Sequence, residues 1–317
     1  MDFSHLPRYR ELPIRAGLPQ RSAWGVFGDD DQLGTLNLLT PERTAAAARL
    51  VRSGRVFPLA LDMDAALGAM GRPPFRHHIE FSQLGADDYY DSLYSQAATC
   101  WDSLSRIAHP VRGYYNGCRQ EDITGQPGSR NGIDNAARRG IAGRFVLADL
   151  GRWRDATIPF DMTASEAVST TELEACLDAA SAEIQPGDIL MIRFGWITWF
   201  LAGAAPSPSV DRTRTPGTPG LSRDESMAEW LWDHHVAAVV TDTPSLEVVP
   251  FGNRTEAGGL LHFRLIPLLG MTLGELFAMD ELAADCAADG TYDGLFVAAP
   301  INKRGGVGSP GNAIAIK

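Results

Sequence analysis

Three short runs of apolar residues constrain the fold of this chain more than any other feature. They are GRFVLADL (143–150), ILMIRF (189–194) and VAAVVTD (236–242). Apolar runs of roughly four to eight residues are typical of buried strands. Between the first two, TTELEACLDAASAEI (170–184) has helical periodicity and good helix formers. The chain of 317 residues is therefore predicted to mix buried strands with helices, without a strict alternation of the two.

The remaining elements are predicted from periodicity and from residues that start or stop helices. Pro41 begins a helix and Gly54 ends it. Further predicted helices are 225–235, 260–270 with a kink at a proline, and 274–290, and further predicted strands are 56–63 and 292–300. Nothing marks a domain boundary, so residues 1–317 are predicted to form a single domain. The Pro-, Ser- and Thr-rich loop 206–222 is predicted to border a pocket and to move or become ordered on binding.

Composition excludes several classes of partner. The formal net charge is −11, and no basic stripe is clustered along the chain, which argues against nucleic acid and against anionic membranes. No apolar run reaches the roughly 18 residues that a transmembrane helix needs.

The four cysteines are scattered without a C-x-x-C pattern, as in a reduced cytosolic protein. The start, MDFSHLPRYRELP, has no apolar segment of the kind found in signal peptides, so a cytoplasmic location is expected.

Three further patterns point to no separate chemistry. The glycine-rich RGGVGSPGN (304–312) lacks the G-K-[ST] of a phosphate loop and is predicted to be a terminal turn. The adjacent pairs His77-His78 and His234-His235 are predicted to be structural or exposed, because neighbouring side chains point to different faces of a helix or strand. The chain has no G-x-S-x-G, which weighs against a serine hydrolase nucleophile.

The stretch QAATCWDSLSRIAH (96–109) is the strongest candidate for a functional site. It carries too many polar groups at short spacing for an ordinary core strand. Those groups are Gln96, Thr99, Cys100, Asp102, Arg106 and His109.

With this stretch, the chain resembles the cyclase family of metal-dependent hydrolases, which includes kynurenine formamidase, isatin hydrolase and several polyketide cyclases. The resemblance covers nearly the whole chain and follows the family's longer branch. The segments that carry it include WGVFGDDDQLGTLNLLTPE, YYNG, GRFVLADL, PGDILMIRFGW, PGLS, TDTPSLEVVP, LLHFRLIPLLGMTLGEL and GSPGNAIAI. The resemblance implies an α/β fold, a layered β/β/α sandwich of the cyclase (swivelling) type with flanking helices. It also implies a homodimer or homotetramer.

The family's signature, H-x-G-T-H-x-D-x-P-x-H, is only partly kept in this stretch. In the family, the first two His and the Asp bind a divalent metal, the last His acts as acid or base, and a later His and Glu complete the site. Here Gln96, Cys100 and Arg106 stand at the first, second and last His positions. Ala98 and Leu104 replace the Gly and the Pro, while Thr99 and Asp102 are kept. The later pair is kept as His262 and Glu275, thirteen residues apart.

The departures leave two kinds of catalytic site open. In the first, zinc or manganese is bound by Asp102, His262 and Glu275, with the Cys100 thiolate as a further ligand. In the second there is no metal. Arg106 then binds an anionic oxygen of the substrate, and Asp102, Glu275 or His262 transfers the proton as general acid or base. His109 is a candidate for proton transfer in either case.

Other residues are candidates for binding a flat, cyclic or aromatic substrate. Glu247 lies in a segment that the family uses near its site. Trp24, Trp101, Tyr114 and Tyr115 supply aromatic surface, and Gln96 and Cys100 are also assigned to substrate binding. The predicted function is hydrolysis or closure of a ring at a carbonyl, in an amide, lactone or polyketide-like substrate. The alternative is a non-catalytic homologue that binds a small molecule.

Overall fold

The structure is a computed structural model that describes residues 6–65, 71–204, 217–256 and 258–317. The strands are β1 (Val56–Pro58), β2 (Arg76–Phe81), β3 (Ala86–Asp91), β4 (Cys100–Asp102), β5 (Ile141–Asp149), β6 (Ala167–Val168), β7 (Ile189–Arg193), β8 (Gly220–Leu221), β9 (Ala238–Thr241), β10 (Thr272–Glu275), β11 (Asp293–Ala298), β12 (Gly308–Pro310) and β13 (Ala313–Ile316). The α-helices are α1 (Pro41–Ala48), α2 (Asp134–Arg139), α3 (Leu150–Asp155), α4 (Thr170–Ala179), α5 (Trp196–Trp199), α6 (Glu225–Asp233), α7 (His262–Leu265) and α8 (Asp280–Asp289). A π-helical turn, Phe200–Ala204, extends α5.

Most strands belong to one nine-stranded mixed sheet in the order β1-β13-β11-β5-β7-β9-β10-β4-β12. The four central strands β5, β7, β9 and β10 run parallel to one another, and the strands outside them pair antiparallel. Because parallel strands end at the same edge of a sheet, the residues that follow these four strands meet there. Two small sheets, β2-β3 and β6-β8, lie outside the large sheet.

The three apolar runs form the centre of this sheet as β5, β7 and β9, in agreement with the prediction. Ile189, Leu190 and Val239 are fully buried there. Strands that are covered on both faces need apolar side chains at every position, which is why these sequences do not alternate. The expected α/β class is confirmed by the mixed sheet and its helices.

Helix starts are set by side-chain caps. The Thr40 hydroxyl accepts from the N–H of Arg43 at the start of α1, where Pro41 occupies the first helical position. Ser169 and Glu172 form a reciprocal capping box at the start of α4. Both helices lie where the sequence predicts them, but each ends several residues earlier than predicted.

Two predicted elements differ from the structure. The helix predicted for 274–290 begins only at Asp280, because Gly274 and Glu275 belong to β10 between β9 and β4. A Cβ on Gly274 would lie 2.5 Å from a Val240 methyl group and 2.6 Å from the Phe277 ring, so the missing side chain permits this close packing. The turn predicted for 304–312 contains β12, which pairs with β4.

Other predictions hold in part. Strand 56–63 is reduced to β1, 292–300 to β11, and the helix 260–270 to α7. The loop 206–222 lies outside the described residues except for its last part, 217–222, which contains β8. His77 and His78 lie on the exposed hairpin β2-β3, as predicted. No helix among the residues described is both long and apolar enough to cross a membrane.

Candidate active site

Strand β4, between β10 and the edge strand β12, presents part of the polar stretch on one face of the sheet. Cys100 lies opposite Glu275 on β10, and Asp102 lies opposite Leu273 on β10 and Gly308 on β12. Directly opposed residues of an antiparallel pair, and residues two apart on one strand, project from the same face. The side chains of Cys100, Asp102 and Glu275 therefore share one face, and Trp101 projects from the other.

His262, the first residue of α7, lies against this face. Its Nε2 is 3.2 Å from a Glu275 carboxylate oxygen and 4.0 Å from an Asp102 carboxylate oxygen. One donor atom from each of the three side chains can be chosen so that all lie within 4.8 Å of one another. Asp102 and His262 are buried, with 3% and 5% of their surface exposed. The expected proximity of Asp102 to His262 and Glu275 is found.

Glu247 lies on the Nδ1 side of the His262 ring, opposite the two acids at Nε2. One oxygen of its carboxylate contacts Nδ1 of His262, and the side chain is completely buried. The backbone at Glu247 pairs with β8, where Gly220 is required because a Cβ there would lie 2.4 Å from the Glu247 carbonyl carbon. Among the described residues, the second carboxylate oxygen of Glu247 has no hydrogen-bond partner.

Two arginines border the cluster. Arg106 donates from Nε to an Asp102 carboxylate oxygen at 3.2 Å, and about a third of the Arg106 side chain is exposed. Arg72 donates to the backbone carbonyl of Gln96 at 2.8 Å. The Gln96 amide also lies against Gly308, since a Cβ on that glycine would be 2.2 Å from the amide nitrogen.

The charges of the cluster shift the ionisation of its members. Burial, reinforced by the Glu275 carboxylate, raises the pKa of Asp102 to about 7 against the opposing effect of Arg106 and His262. Burial disfavours a charged His262, but Glu247 and Glu275 outweigh it and raise the pKa of the imidazole well above its usual range. Burial raises the pKa of the Cys100 thiol, and Glu275 and Asp102 raise it further, so the thiol is neutral.

The donors of this cluster fit a divalent cation. Asp102, Glu275 and His262 offer two carboxylates and one imidazole nitrogen, which is a common donor set for zinc or manganese. The Nδ1 contact with Glu247 directs Nε2 toward the two acids, as the partners of metal-binding histidines do. Arg106 is the one guanidinium among the described residues that pairs with the acids Asp102, Glu247 and Glu275. With these acids ionised, a charged His262 and Arg106 still leave a surplus of negative charge that a cation would offset.

His109 lies apart from these contacts. Its Nδ1 accepts hydrogen bonds from the N–H groups of Val111 and Arg112, which closes a tight turn. Its ring centroid is 6.3 Å from that of Phe263, the residue after His262. The contacts described for His109 are those of a turn residue, and none of them reaches the acidic cluster.

Two of the four predicted aromatic residues, Trp101 and Tyr115, belong to the core. Trp101 is completely buried, donates from its indole to the Gly311 carbonyl and packs edge-on against the rings of Phe277 and Phe296. Tyr115 is completely buried, and its hydroxyl donates to Asp31. Because both rings are completely buried in the core, they do not form the substrate surface that was predicted for them.

Of the other two aromatic candidates, Trp24 is partly buried and donates from its indole to the Pro267 carbonyl. Tyr114 is also partly buried. Arg72, which sequence reasoning missed, lies 24 residues before Gln96 in a segment with no motif of its own.

Comparison with known proteins identifies the family of this chain. Residues 71–248 match the Cyclase family model, described as "Putative cyclase". The crystal structure of a novel cyclase superposes with a TM-score of 0.81 at 31% sequence identity, covering 93% of this chain and 99% of that one. The chain therefore belongs to the Cyclase family, as the resemblance predicted. At family level this makes it a small-molecule hydrolase or cyclase.

More distant structures share the fold. An isatin hydrolase bound to the product analogue thioisatinate has a TM-score of 0.57 at 16% identity, covering 83% of this chain and 92% of that one. Isatin hydrolase A from Ralstonia solanacearum has a TM-score of 0.58 at 17% identity, covering 87% of this chain and 97% of that one. No curated protein gives a significant match.

Proposed function

We propose that this protein is an enzyme that acts at the carbonyl group of a small cyclic molecule, opening a cyclic amide or lactone by hydrolysis or closing such a ring. The observation that carries the proposal is the buried cluster of Asp102, His262 and Glu275 with Glu247 behind the imidazole. Buried acids in contact with a histidine are costly for stability, so their retention in a fold of this family supports a catalytic role.

Asp102, His262 and Glu275 are the residues that would hold a divalent cation, zinc or manganese. When bound, such a cation supplies Lewis-acid polarisation of a carbonyl group and lowers the pKa of water. Glu247 accepts from Nδ1–H of His262 and thereby keeps Nε2 free to act as a donor atom. Arg106, at the exposed rim of the cluster, stabilises the negative charge that develops on the carbonyl oxygen.

A second version of the reaction uses no metal, and the ion pair between Arg106 and Asp102 favours it. The guanidinium then offsets the repulsion between the two carboxylates that a cation would otherwise balance. With a pKa of about 7, Asp102 is suited to exchange protons near neutral pH. This version fits enolisation, dehydration or ring closure better than hydrolysis of an amide.

The test combines metal analysis with turnover. Purified protein is analysed for zinc and manganese and is assayed, before and after chelation, on cyclic amides and lactones that include isatin. About one equivalent of metal and chelator-sensitive turnover support the first version, and metal-free turnover supports the second. Ligand-induced thermal shifts without turnover of any compound would overturn the proposal in favour of a non-catalytic binding protein.

Further features stay predictions. We propose that residues 1–317 form a single domain, that the protein is cytoplasmic and that it assembles as a homodimer or homotetramer. Light scattering of the protein as it elutes from a size-exclusion column measures its mass in solution. A monomer at micromolar concentration would contradict the proposed assembly.

A further inference from the structure

The hairpin β2-β3 is a surface that the acidic cluster does not use. Its two strands form a separate sheet, and neither of them pairs with a further strand among the described residues. All residues of the two strands are exposed except His78, which is partly buried. An isolated two-stranded hairpin is only marginally stable in water, so this one needs a partner that covers it.

The two faces of the hairpin differ in character. Adjacent residues of a strand project from opposite faces, and directly paired residues share a face. The observed register therefore places Ile79, Phe81 and Tyr90 on one face. The other face presents the charged side chains of Arg76, Glu80, Asp87 and Asp91. At the tip of the hairpin, Phe81 is 84% exposed and Leu84 is 99% exposed. Exposed apolar groups this concentrated mark an interaction surface.

Two charges of the hairpin are unpaired. The ion pairs within the hairpin are those of its two histidines with aspartates of β3. Arg76 and Glu80 form no ion pair with any residue that the structure describes. Glu80 also lies directly opposite Asp87, and like charges in that position are destabilising. Charges supplied by another chain would therefore stabilise both side chains.

The outer edge of β2 carries free hydrogen-bonding groups. Across the turn, Ser82 donates its N–H to the Gly85 carbonyl. Hydrogen-bonded and non-hydrogen-bonded positions alternate along an antiparallel pair, so the even-numbered residues of β2 bond to β3. The odd-numbered residues, His77, Ile79 and Phe81, therefore direct their N–H and C=O groups outward. An edge of this kind is a template for another strand.

A second copy of β2 matches this edge in charge and in geometry. When two copies run antiparallel with His78 at the twofold axis, Arg76 of each lies opposite Glu80 of the other. Both unpaired charges then gain a partner, and the outward groups of His77 meet those of Ile79. The edge of β3 is unsuited to such pairing, because its aspartates would bring like charges together.

The same arrangement brings the tip of each hairpin to the base of the other. A strand of six residues is about 20 Å long, and antiparallel pairing reverses its direction in the copy. At the base of the hairpin, Phe75, Leu93 and Tyr94 line an apolar cavity of about 90 Å³. The exposed side chains of Phe81 and Leu84 are therefore brought beside an apolar cavity of the other copy.

We propose that the hairpin β2-β3 is the arm through which two copies of this chain associate. Their β2 edges join antiparallel about His78 into one four-stranded sheet, and each tip lies against the cavity at the base of the other arm. The inference rests on the assembly proposed above and names the surface that forms it. Because the contact is isologous, every residue pair in it occurs twice.

A cysteine at the twofold axis tests the arrangement directly. The Cα atoms of a non-hydrogen-bonded antiparallel pair are about 4.5 Å apart, which suits a disulfide. His78→Cys should therefore cross-link to its own copy on mild oxidation and give a covalent dimer on a non-reducing gel. Tyr89→Cys is the matched control, because Tyr89 lies opposite His78 on β3, away from the joined edges, and should stay uncross-linked. The native cysteines are buried, so wild type should give no such band.

Charge reversal tests the register. Glu80→Arg places two arginines together at both ends of the joined edge, so the dissociation constant measured by sedimentation equilibrium should rise at least about tenfold. The double variant Arg76→Glu, Glu80→Arg restores opposite charges and should recover the wild-type constant. Asp178→Arg, at an exposed position of α4, changes the net charge equally and is the control.

A substitution at the tip tests the apolar contact. Leu84 is almost fully exposed in the single chain, so Leu84→Asp should leave folding unchanged. In the assembly it places a charge against an apolar cavity and should raise the dissociation constant by about tenfold. Ile158→Asp is the control, because Ile158 is also an exposed apolar residue but lies outside the hairpin. Thermal unfolding of each variant verifies that it is folded.

Several results would overturn the inference. A dimer that is indifferent to Glu80→Arg and Leu84→Asp, or that cross-links as readily through Tyr89→Cys as through His78→Cys, would refute this surface and leave the proposed assembly in place. A wild-type monomer would refute both. A monomer that binds phosphatidylcholine vesicles through Leu84 would assign the arm to a lipid surface instead.

These outcomes are separate from failure of the proposed reaction, since none of them measures turnover. Cross-linking at His78 in a protein that turns over no compound would retain the inference and refute the enzyme. Turnover by a protein that stays monomeric would do the reverse.

Discussion

The imidazole of His262 is held at both of its nitrogens, by Glu247 on the Nδ1 side and by Glu275, 3.2 Å away, on the Nε2 side. Glu247 and Glu275 come from different parts of the sheet edge, one beside β8 and the other at the end of β10. The orientation of the ring is therefore fixed by the fold before any ligand arrives. Its Nε2 faces the two acids that complete the cluster.

Replacing Glu247 tests whether this orientation matters for function. Glu247→Gln keeps the volume but weakens the contact with Nδ1, so metal affinity or activity should fall by about tenfold to a hundredfold. Turnover and metal affinity by competition with a chromogenic chelator measure the effect. Glu229→Gln, at the exposed ion pair with Arg10, is the control and should behave like wild type. Full activity of Glu247→Gln would show that Glu247 has only a structural role.

Removing one donor from the cluster tests the metal directly. Asp102→Asn and His262→Ala should each reduce the bound zinc or manganese well below one equivalent, because the first replaces a carboxylate by a weaker, neutral amide and the second removes the imidazole. Asp134→Asn is a matched control, since Asp134 is also buried and paired with an arginine four residues later. Elemental analysis after dialysis gives the stoichiometry. An unchanged metal content in both cluster variants would place the metal elsewhere.

The guanidinium of Arg106 is predicted to stabilise negative charge in the transition state. Arg106→Ala should lower kcat by about a hundredfold to a thousandfold, the range found when one donor to a developing oxyanion is removed. Arg106→Lys should recover only part of this loss, because an ammonium group lacks the planar fork. Arg138→Ala, which breaks the matched pair with Asp134, should keep wild-type kcat. Turnover of Arg106→Ala at the wild-type rate would refute the role.

Restoring the histidines of the family signature tests how the site has changed. The triple change Gln96→His, Cys100→His, Arg106→His should raise zinc or manganese affinity by about a hundredfold or more, because it supplies neutral imidazoles and removes a positive charge. Arg106→His alone should not produce this gain, since Gln96 and Cys100 still differ from the signature. Competition with a chelator measures both variants. A triple variant that binds metal no more tightly than wild type would contradict the prediction.

Part of this site could be predicted from the sequence. The resemblance assigned Asp102, His262 and Glu275 to one candidate site, because the residues of a family's motifs keep their order along the chain even when they are far apart in sequence, and the structure brings these three together. It did not identify Arg72, whose contact with the Gln96 backbone is shown by no sequence pattern. Trp101 was assigned to substrate binding, but it alternates with Asp102 along β4 and so projects from the opposite face.

The fold was predicted best where burial dictates composition. The runs that form β5, β7 and β9 are apolar throughout because both of their faces are covered. Gly274 and Glu275 in β10 were assigned to a helix, because the helical pattern of 280–289 extends back over them in the sequence. Their strand conformation depends on pairing with β9 and β4, which are distant in sequence.

The last prediction concerns Asp242, whose carboxylate accepts from the N–H groups of Phe194 and Gly195 in the turn before Trp196. Burial raises its pKa to about 6 from an ordinary value of 3.8, although the N–H groups of Phe194 and Gly195 oppose the shift. Between these two pH values the folded protein holds a proton that the unfolded chain has lost. The contribution of Asp242 to the free energy of unfolding therefore falls as pH rises through this interval. Above about pH 6 the carboxylate is ionised in both states, and the full cost of burying its charge lowers the stability of the fold. The difference amounts to roughly 3 kcal/mol, from about two pH units at 1.36 kcal/mol each.

Asp242→Asn removes this titration and should flatten the pH dependence of unfolding between about pH 4 and pH 6 relative to wild type. Its stability at pH 4 should stay within about 1 kcal/mol of wild type, because the protonated carboxyl, like the amide, then offers a single carbonyl oxygen to the two backbone N–H groups. Urea unfolding at a series of pH values measures both effects. Asp155→Asn, at the exposed end of α3, is the control and should keep the wild-type slope. A wild-type slope in Asp242→Asn would show that Asp242 stays ionised throughout this range, with its two backbone donors outweighing burial.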